Sequence, residues 1–283
     1  MTDLTGTAAA ARRASGAGRS LPSLRMPPQV RKILLGLLGG AVLISLFEIL
    51  TRFAGVPEQY LPHATGVVVR FVELAFDPVF LSDVAATLWA WALGIAIALG
   101  LGVAFGLWLG LSPTAHEIGL PIVNLLRPIP SVCIIPLAIL VIGQGLAMKL
   151  LLVSYAALWP ILINTVYGVH GADPVATDTA RCFGLPRGAI LRRIVLPQAA
   201  PMIFTGLKIS ASIGLVVLVS AELLAATSSG IGAFIFRVSS SGGHMDSVLA
   251  GAAYAGVLGV IVNAGLAALD RRWFGWSRRE ADT

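Results

Sequence analysis

Charge is what this chain most lacks. Of its 283 residues only 12% are charged, and 57% are hydrophobic. Soluble domains carry about 25% charged residues, so a water-soluble globular fold is excluded and an integral membrane domain is indicated. Cysteine is nearly absent. Cys133 falls in an apolar run and Cys182 in a polar one, which argues against a disulfide. His63, His116, His170 and His244 are scattered without metal-ligand spacing. No G-x-x-x-x-G-K-[ST] run occurs, so the usual backbone cradle for ATP phosphates is missing. No catalytic constellation takes its place, and the chain reads as a non-enzyme. The net charge of +6 invites a nucleic-acid reading, but the basic residues cluster beside apolar runs, as membrane topology requires.

What is present is a series of long apolar segments. Crossing a ~30 Å hydrocarbon core takes ~20 residues. Six runs meet that length, at about 33–50, 84–111, 118–142, 149–169, 202–226 and 248–269. In lipid each must satisfy its own backbone polar groups, so all six are predicted helical and the fold class is all-α. Residues 1–30, rich in Ala, Arg, Ser, Gly and Pro, read as a disordered tail, followed by a membrane domain over 31–276 and a short tail over 277–283. Arg12 and Arg13 are adjacent, as in a twin-arginine signal, but no small-residue cleavage site follows the first apolar run, so that run reads as a retained helix.

Basic residues set the orientation. Arg12, Arg13, Arg19, Arg25, Arg31 and Lys32 precede the first span. Arg181, Arg187, Arg192 and Arg193 lie between the fourth and fifth, and Arg271, Arg272, Arg278 and Arg279 follow the sixth. The opposite side carries only Arg52, Arg70, Lys149 and Arg237. Both termini and the 170–200 loop are therefore predicted to be cytoplasmic, with Trp273 and Trp276 at the inner interface. Residues 52–83 become an external segment whose stretch from Thr65 to Phe76 has helical spacing. The Ser- and Gly-rich run 227–247 becomes an external loop. Small residues recur every four positions in the second span (Gly94, Ala98, Gly102, Gly106, Gly110) and in the sixth (Gly251, Ala255, Gly259). Such stripes let helix backbones approach closely, either within one subunit or between subunits.

The 170–200 loop is too organised for a mere connection. Asp173 followed by Pro174 is a helix start, with an acceptor at the cap and a proline where its missing N–H costs nothing. That helix is predicted to run to about Phe183, with Gly184 as a left-handed cap and Pro186 preventing continuation. A second helix is predicted from about Pro186 to Leu196, stopping before Pro197. Ile190, Leu191, Ile194 and Val195 share one face of it.

Within this loop stand Asp178-Thr179-Ala180, then three residues, Gly184, then nine residues, and Ile194-Val195-Leu196-Pro197. The pattern resembles the cytoplasmic signature of the permease subunits of binding-protein-dependent ABC importers, E-A-A, three residues, G, nine residues, I-x-L-P. Asp178 replaces Glu and Thr179 replaces Ala. The runs LPHATGVVVRFVEL, LRPIPSVCIIPLAIL and GLKISASIGLVVLVSAELLAA are similar to the nitrate, sulfonate and taurine branch. The resemblance implies a type I importer permease with six spans, acting as a homodimer. It also implies a cytoplasmic ATPase subunit that binds the ATP, an external substrate-binding protein, and no cofactor on this chain itself. Asp178, Thr179, Ala180, Gly184, Ile194, Leu196 and Pro197 would form the ATPase-coupling element. The implied cargo is a small anion such as an aliphatic sulfonate, taurine or nitrate. Similar permeases serve a pyrimidine vitamin precursor or riboflavin, and an ATP-independent channel or carrier is the reading of a different class. No internal repeat or midplane acid favours the last of these.

Isolated polar groups inside the spans are candidates for the pathway. Arg127, beside Asn124 and before Pro128 and Pro130, is the first. Glu222, near the outer end of the fifth span, is the second. Lys208 near the inner end is placed to snorkel, and Asn164 and Asn263 suit interhelical hydrogen bonds.

Overall fold

A computed structural model describes residues 28–53, 57, 60–242 and 244–274. Residues 1–27 of the tail predicted to be disordered, the short C-terminal tail and Trp276 lie outside them, while residues 28–30 of that predicted tail already belong to the first helix. The chain divides into a first unit ending at Leu50 and a second from Thr51 to Thr283. Helix α1 (Pro28–Phe53) opens with a proline at its first position and supplies the apolar run of the first predicted span. No strand occurs among the described residues.

The second unit is built on α3 (Pro78–Leu111), α6 (Leu146–His170) and α9 (Leu196–Leu224), with α11 (Met245–Trp273) against α9. Each is long and apolar enough to span a membrane. Lipid tails are as apolar as these side chains, so close backbone approach and interhelical hydrogen bonds must drive association. The α3 stripe is where this occurs. A Cβ on Gly94 would lie 2.6 Å from Val153, on Gly102 2.8 Å from Ile161, on Gly106 2.5 Å from Thr165, and on Gly110 2.9 Å from Val169. The stripe is therefore packing within one chain, seated on α6. On the α9 side, a Cβ on Gly206 would lie 2.8 Å from the Pro160 carbonyl oxygen. Ser210 Oγ donates to the Ala157 carbonyl at 2.6 Å, and Trp91 Nε1 to that of Ala211 at 2.9 Å. The α11 stripe divides. Gly251 meets Ile235 and Phe234, whereas Asn263 is exposed.

Three predicted elements differ from the structure. The third span is not one helix. It consists of α4 (Pro113–Leu126) and α5 (Ser131–Ile142), bent by 86° at the break. Pro128 and Pro130 remove two backbone donors and so interrupt the helical ladder. The second loop helix does not stop before Pro197. Helix α8 (Arg187–Ile190) passes through a π turn (Leu191–Val195) straight into α9. The amide of Leu196 reaches back five residues to Leu191. This wider turn accommodates a proline that would crowd an ordinary helical carbonyl. The run 227–247, predicted to be a loop, holds a helix, α10 (Ile231–Ser241), with residues Ile231 through Ile235 buried.

The segment before α3 is helical where its spacing suggests. Helix α2 (Ala64–Leu74) lies against α11, with Phe71 stacked on Tyr254 at 4.0 Å between ring centroids. Arg70 Nε donates to Ser247 Oγ at 2.8 Å.

Candidate functional site

The polar loop starts with α7 (Pro174–Cys182). The Asp173 carboxylate accepts from the Val175 amide at 2.8 Å, and Pro174 occupies the first helical position. The helix ends as the sequence predicts. Gly184 has φ +74°, its amide donates to the Arg181 carbonyl at 2.9 Å, and the Leu185 amide to that of Ala180 at 3.1 Å. This paired closure satisfies the last carbonyls of α7 and turns the chain sharply. A Cβ on Gly184 would meet nothing within 4 Å. The requirement for glycine is therefore conformational, not spatial.

Beyond the turn, Ala180, Ile190 and Val195 join Val169 in a buried apolar cluster, with Leu107, Leu185, Leu191 and Ile194 packed against it. That cluster fastens the loop beneath α3 and α6. The Asp173 amide donates to Gln198 Oε1 at 2.8 Å and ties the loop's start to α9. The opposite face is presented outward. Asp178 and Thr179 are exposed, and Asp178 pairs with Arg181 at 2.8 Å. Val175 is 70% exposed and Phe183 80%. Two apolar side chains flanking an acidic one on a rigid helix form a surface suited to a protein partner. Sequence spacing identifies Asp178, Thr179, Ala180 and Gly184 but not Val175 and Phe183, because helix-terminal apolar residues are as often buried as exposed. Of the other candidates, Ile194 and Leu196 are half-buried and Pro197 is exposed at the start of α9.

A second feature lies at the break between α4 and α5. Arg127, Pro128, Ser131, Tyr155, Trp159 and Asn164 help line a cavity of about 430 Å³. The prolines remove donors from the helical ladder, and Leu126 O, which keeps a turn bond from the Ile129 amide at 3.2 Å, also accepts from Tyr155 Oη at 3.1 Å. Asn164 Nδ2 donates to Pro160 O within its own helix rather than across an interface. The cavity wall thus carries a cation and hydroxyls but no carboxylate, an arrangement suited to an anion. Asn124, predicted beside Arg127, is exposed and lies outside the lining.

Glu222 lies elsewhere. It is fully buried and bonded to Lys149 Nζ at 2.8 Å, to Thr87 Oγ1, and to the Gly232 amide at 3.1 Å. Lys149 Nζ also donates to Ser229 O at 2.7 Å. The Gly230 amide donates to Asp83 at 2.8 Å and the Ile231 amide to Thr87 Oγ1 at 2.9 Å, while Arg237 pairs with Asp83. Three successive amides at the start of α10 are thus capped by acceptors from α3 and α9. The node anchors α10 and is not part of the cavity at Arg127. Lys149 and Arg237 look like topological charges in the sequence. The signal for their true role is that Asp83 and Lys149 stand near the starts of α3 and α6 and Glu222 near the end of α9, which puts all three on one side of the bundle when successive spans alternate in direction. Lys208 likewise does more than snorkel, since it pairs with Asp270 of α11 at 2.7 Å.

The chain is similar to known proteins. Residues 96–275 match the family described as binding-protein-dependent transport system inner membrane component. The chain is 32% identical over 256 residues to the taurine transport system permease protein TauC of Escherichia coli, covering 88% of this chain and 92% of that one. It is 30% identical over 207 residues to the nitrate import permease protein NrtB of Leptolyngbya laminosa, covering 70% and 74%. The fold matches a chain of a bacterial ABC transporter involved in import of the acidic polysaccharide alginate. The TM-score is 0.59 at 17% identity, covering 87% of this chain and 99% of that one.

Proposed function

Because this chain belongs to the family of binding-protein-dependent transport system inner membrane components, a multi-pass permease family of ABC importers, we propose that it forms the translocation path for a small anion and couples it to a cytoplasmic ATPase through α7. The cargo class is an aliphatic sulfonate, taurine or nitrate. The observation that carries the coupling role is the α7 turn: a helix closed at Gly184 and buried on one face, presenting Val175, Asp178, Thr179 and Phe183 on the other. The relatives named for taurine and nitrate support the cargo class, as does the acid-free cavity at Arg127.

In this reading ATP is bound and hydrolysed by the partner, and no cofactor is held by this chain. Two copies of the permease enclose the path, two ATPase subunits dock on the α7 surfaces, and a loaded external binding protein delivers the anion. Both termini and the 170–200 loop face the cytoplasm. ATP and the loaded binding protein act by favouring one state of a two-state dimer. The rigid cap at Gly184 matters here, since a coupling element must move as a body.

Gly184→Arg tests the proposal. A side chain is strained at φ +74°, and a bulky cation would stand beside the docking surface. The variant is expected to insert at normal abundance and to bind its ATPase weakly, so that ATP hydrolysis no longer drives uptake in reconstituted vesicles. Wild-type uptake per ATP hydrolysed would refute the coupling role.

A further inference from the structure

An apolar groove of about 540 Å³ runs along α3, α4 and α6, lined by Phe105, Trp108, Ile118, Ile122, Leu126 and Leu158 among others. Trp108, Ile118 and Ile122 are each more than half exposed. At its end by the α3–α4 corner the groove reaches Ser112. The same Ser112 lines a second cavity of about 540 Å³, whose wall includes Thr177, Arg181 and Arg187 of the polar loop. The two cavities meet at one residue and differ in chemistry. The first is a wall of hydrocarbon and aromatic side chains. The second carries two guanidinium groups and no carboxylate in its lining.

We propose that the pair forms a binding site for one anionic phospholipid, its acyl chain in the α3–α4 groove and its phosphate headgroup against Arg187 and Arg181. Three points support that occupant. The length fits, since α4 has 14 residues and rises ~21 Å, deeper than half of a ~30 Å hydrocarbon core. The depth fits as well. The α3–α4 corner lies at the same end of the bundle as the basic loop, where headgroups of the inner leaflet would stand if that loop is cytoplasmic, the one step that rests on the function proposed above. The charge fits, because basic pockets at the ends of transmembrane helices hold anionic headgroups, and Arg binds phosphate in bidentate fashion. Arg181 is shared with Asp178, so Arg187 carries the larger part. The positive end of the α4 dipole at Pro113, which also lines the headgroup cavity, adds to it.

The site would make the lipid a tether between the membrane surface and the α7–α8 hairpin.

The test is lipid retention by the purified full-length chain, measured by native mass spectrometry after adding phosphatidylglycerol or phosphatidylcholine with identical acyl chains. Phosphatidylglycerol is expected to be retained roughly tenfold better. The double variant Arg181→Gln/Arg187→Gln is expected to lose that preference while keeping its helical circular dichroism, because both side chains are exposed. Ile122→Trp, which fills the groove far from the loop, is expected to reduce retention of both lipids. Equal retention of the two lipids by the natural chain, or an unchanged preference in the double variant, would overturn the proposal. Neither outcome bears on transport, so the coupling role stands or falls separately on Gly184→Arg.

Discussion

Lys149→Met is the most exacting perturbation. It leaves the Glu222 carboxylate buried with Thr87 and the Gly232 amide as its remaining partners and frees the Ser229 carbonyl that Lys149 served. Lys149 has 5% of its side chain exposed and Glu222 none, so neither charge can turn to solvent. Removing one partner of such a pair costs about 3–5 kcal/mol, because the other charge is stranded. Glu222→Gln strands Lys149 in the same way. The double variant Lys149→Met/Glu222→Gln strands no charge, so its loss is expected to fall below the sum of the single losses by about 1–3 kcal/mol. Reversible unfolding in mixed detergent and dodecyl sulfate, followed by circular dichroism, measures all four proteins. Strict additivity, or a Lys149→Met loss under about 0.5 kcal/mol, would refute the reasoning and return Glu222 to the pool of pathway residues.

Three further outcomes follow from the geometry. Gly106→Val inserts a side chain where even a Cβ meets Thr165 at 2.5 Å, and should lower stability by about 1–3 kcal/mol. Gly100→Val, with nothing within 4 Å, is the matched control in the same unfolding assay, and equal losses would contradict the assigned α3–α6 face. Asp173→Ala removes the acceptor of the Val175 amide and should cost about 1 kcal/mol locally, read as faster hydrogen exchange at the start of α7. Arg127→Gln keeps the cavity's shape but removes its cation. Membrane abundance should be unchanged while anion uptake falls, and normal uptake would remove Arg127 from the path.

How much was legible in the sequence depends on range. Asp173 with Pro174 and Gly184 with Pro186 act within one helical turn of themselves, so α7 was readable with both its ends. Span lengths were readable because the bilayer sets them. Pro128 and Pro130 stood in plain view, yet whether a proline pair kinks a span slightly or folds it by 86° depends on what receives the freed carbonyls. Here Leu126 O, deprived of a donor at Pro130, is shared by the Ile129 amide and by Tyr155, 29 residues away. Pro197 misled in the other direction, because the π turn ahead of it absorbed the clash.

The sequence by itself determined that this is a membrane protein with several helical spans, and where the first loop helix begins and ends. Each follows from composition, period or capping, properties that need no distant partner. Only the tertiary structure decided what the isolated charges do. Glu222 became an anchor for α10 because Lys149, 73 positions earlier, and Thr87, 135 positions earlier, converge on it. Lys208 became a tie to α11 through Asp270. A charge in an apolar run announces that it must have a partner, since an unpaired one is too costly to keep there. Which partner it has is settled by how the helices cross, and that is written in the packing of glycines against side chains on another helix.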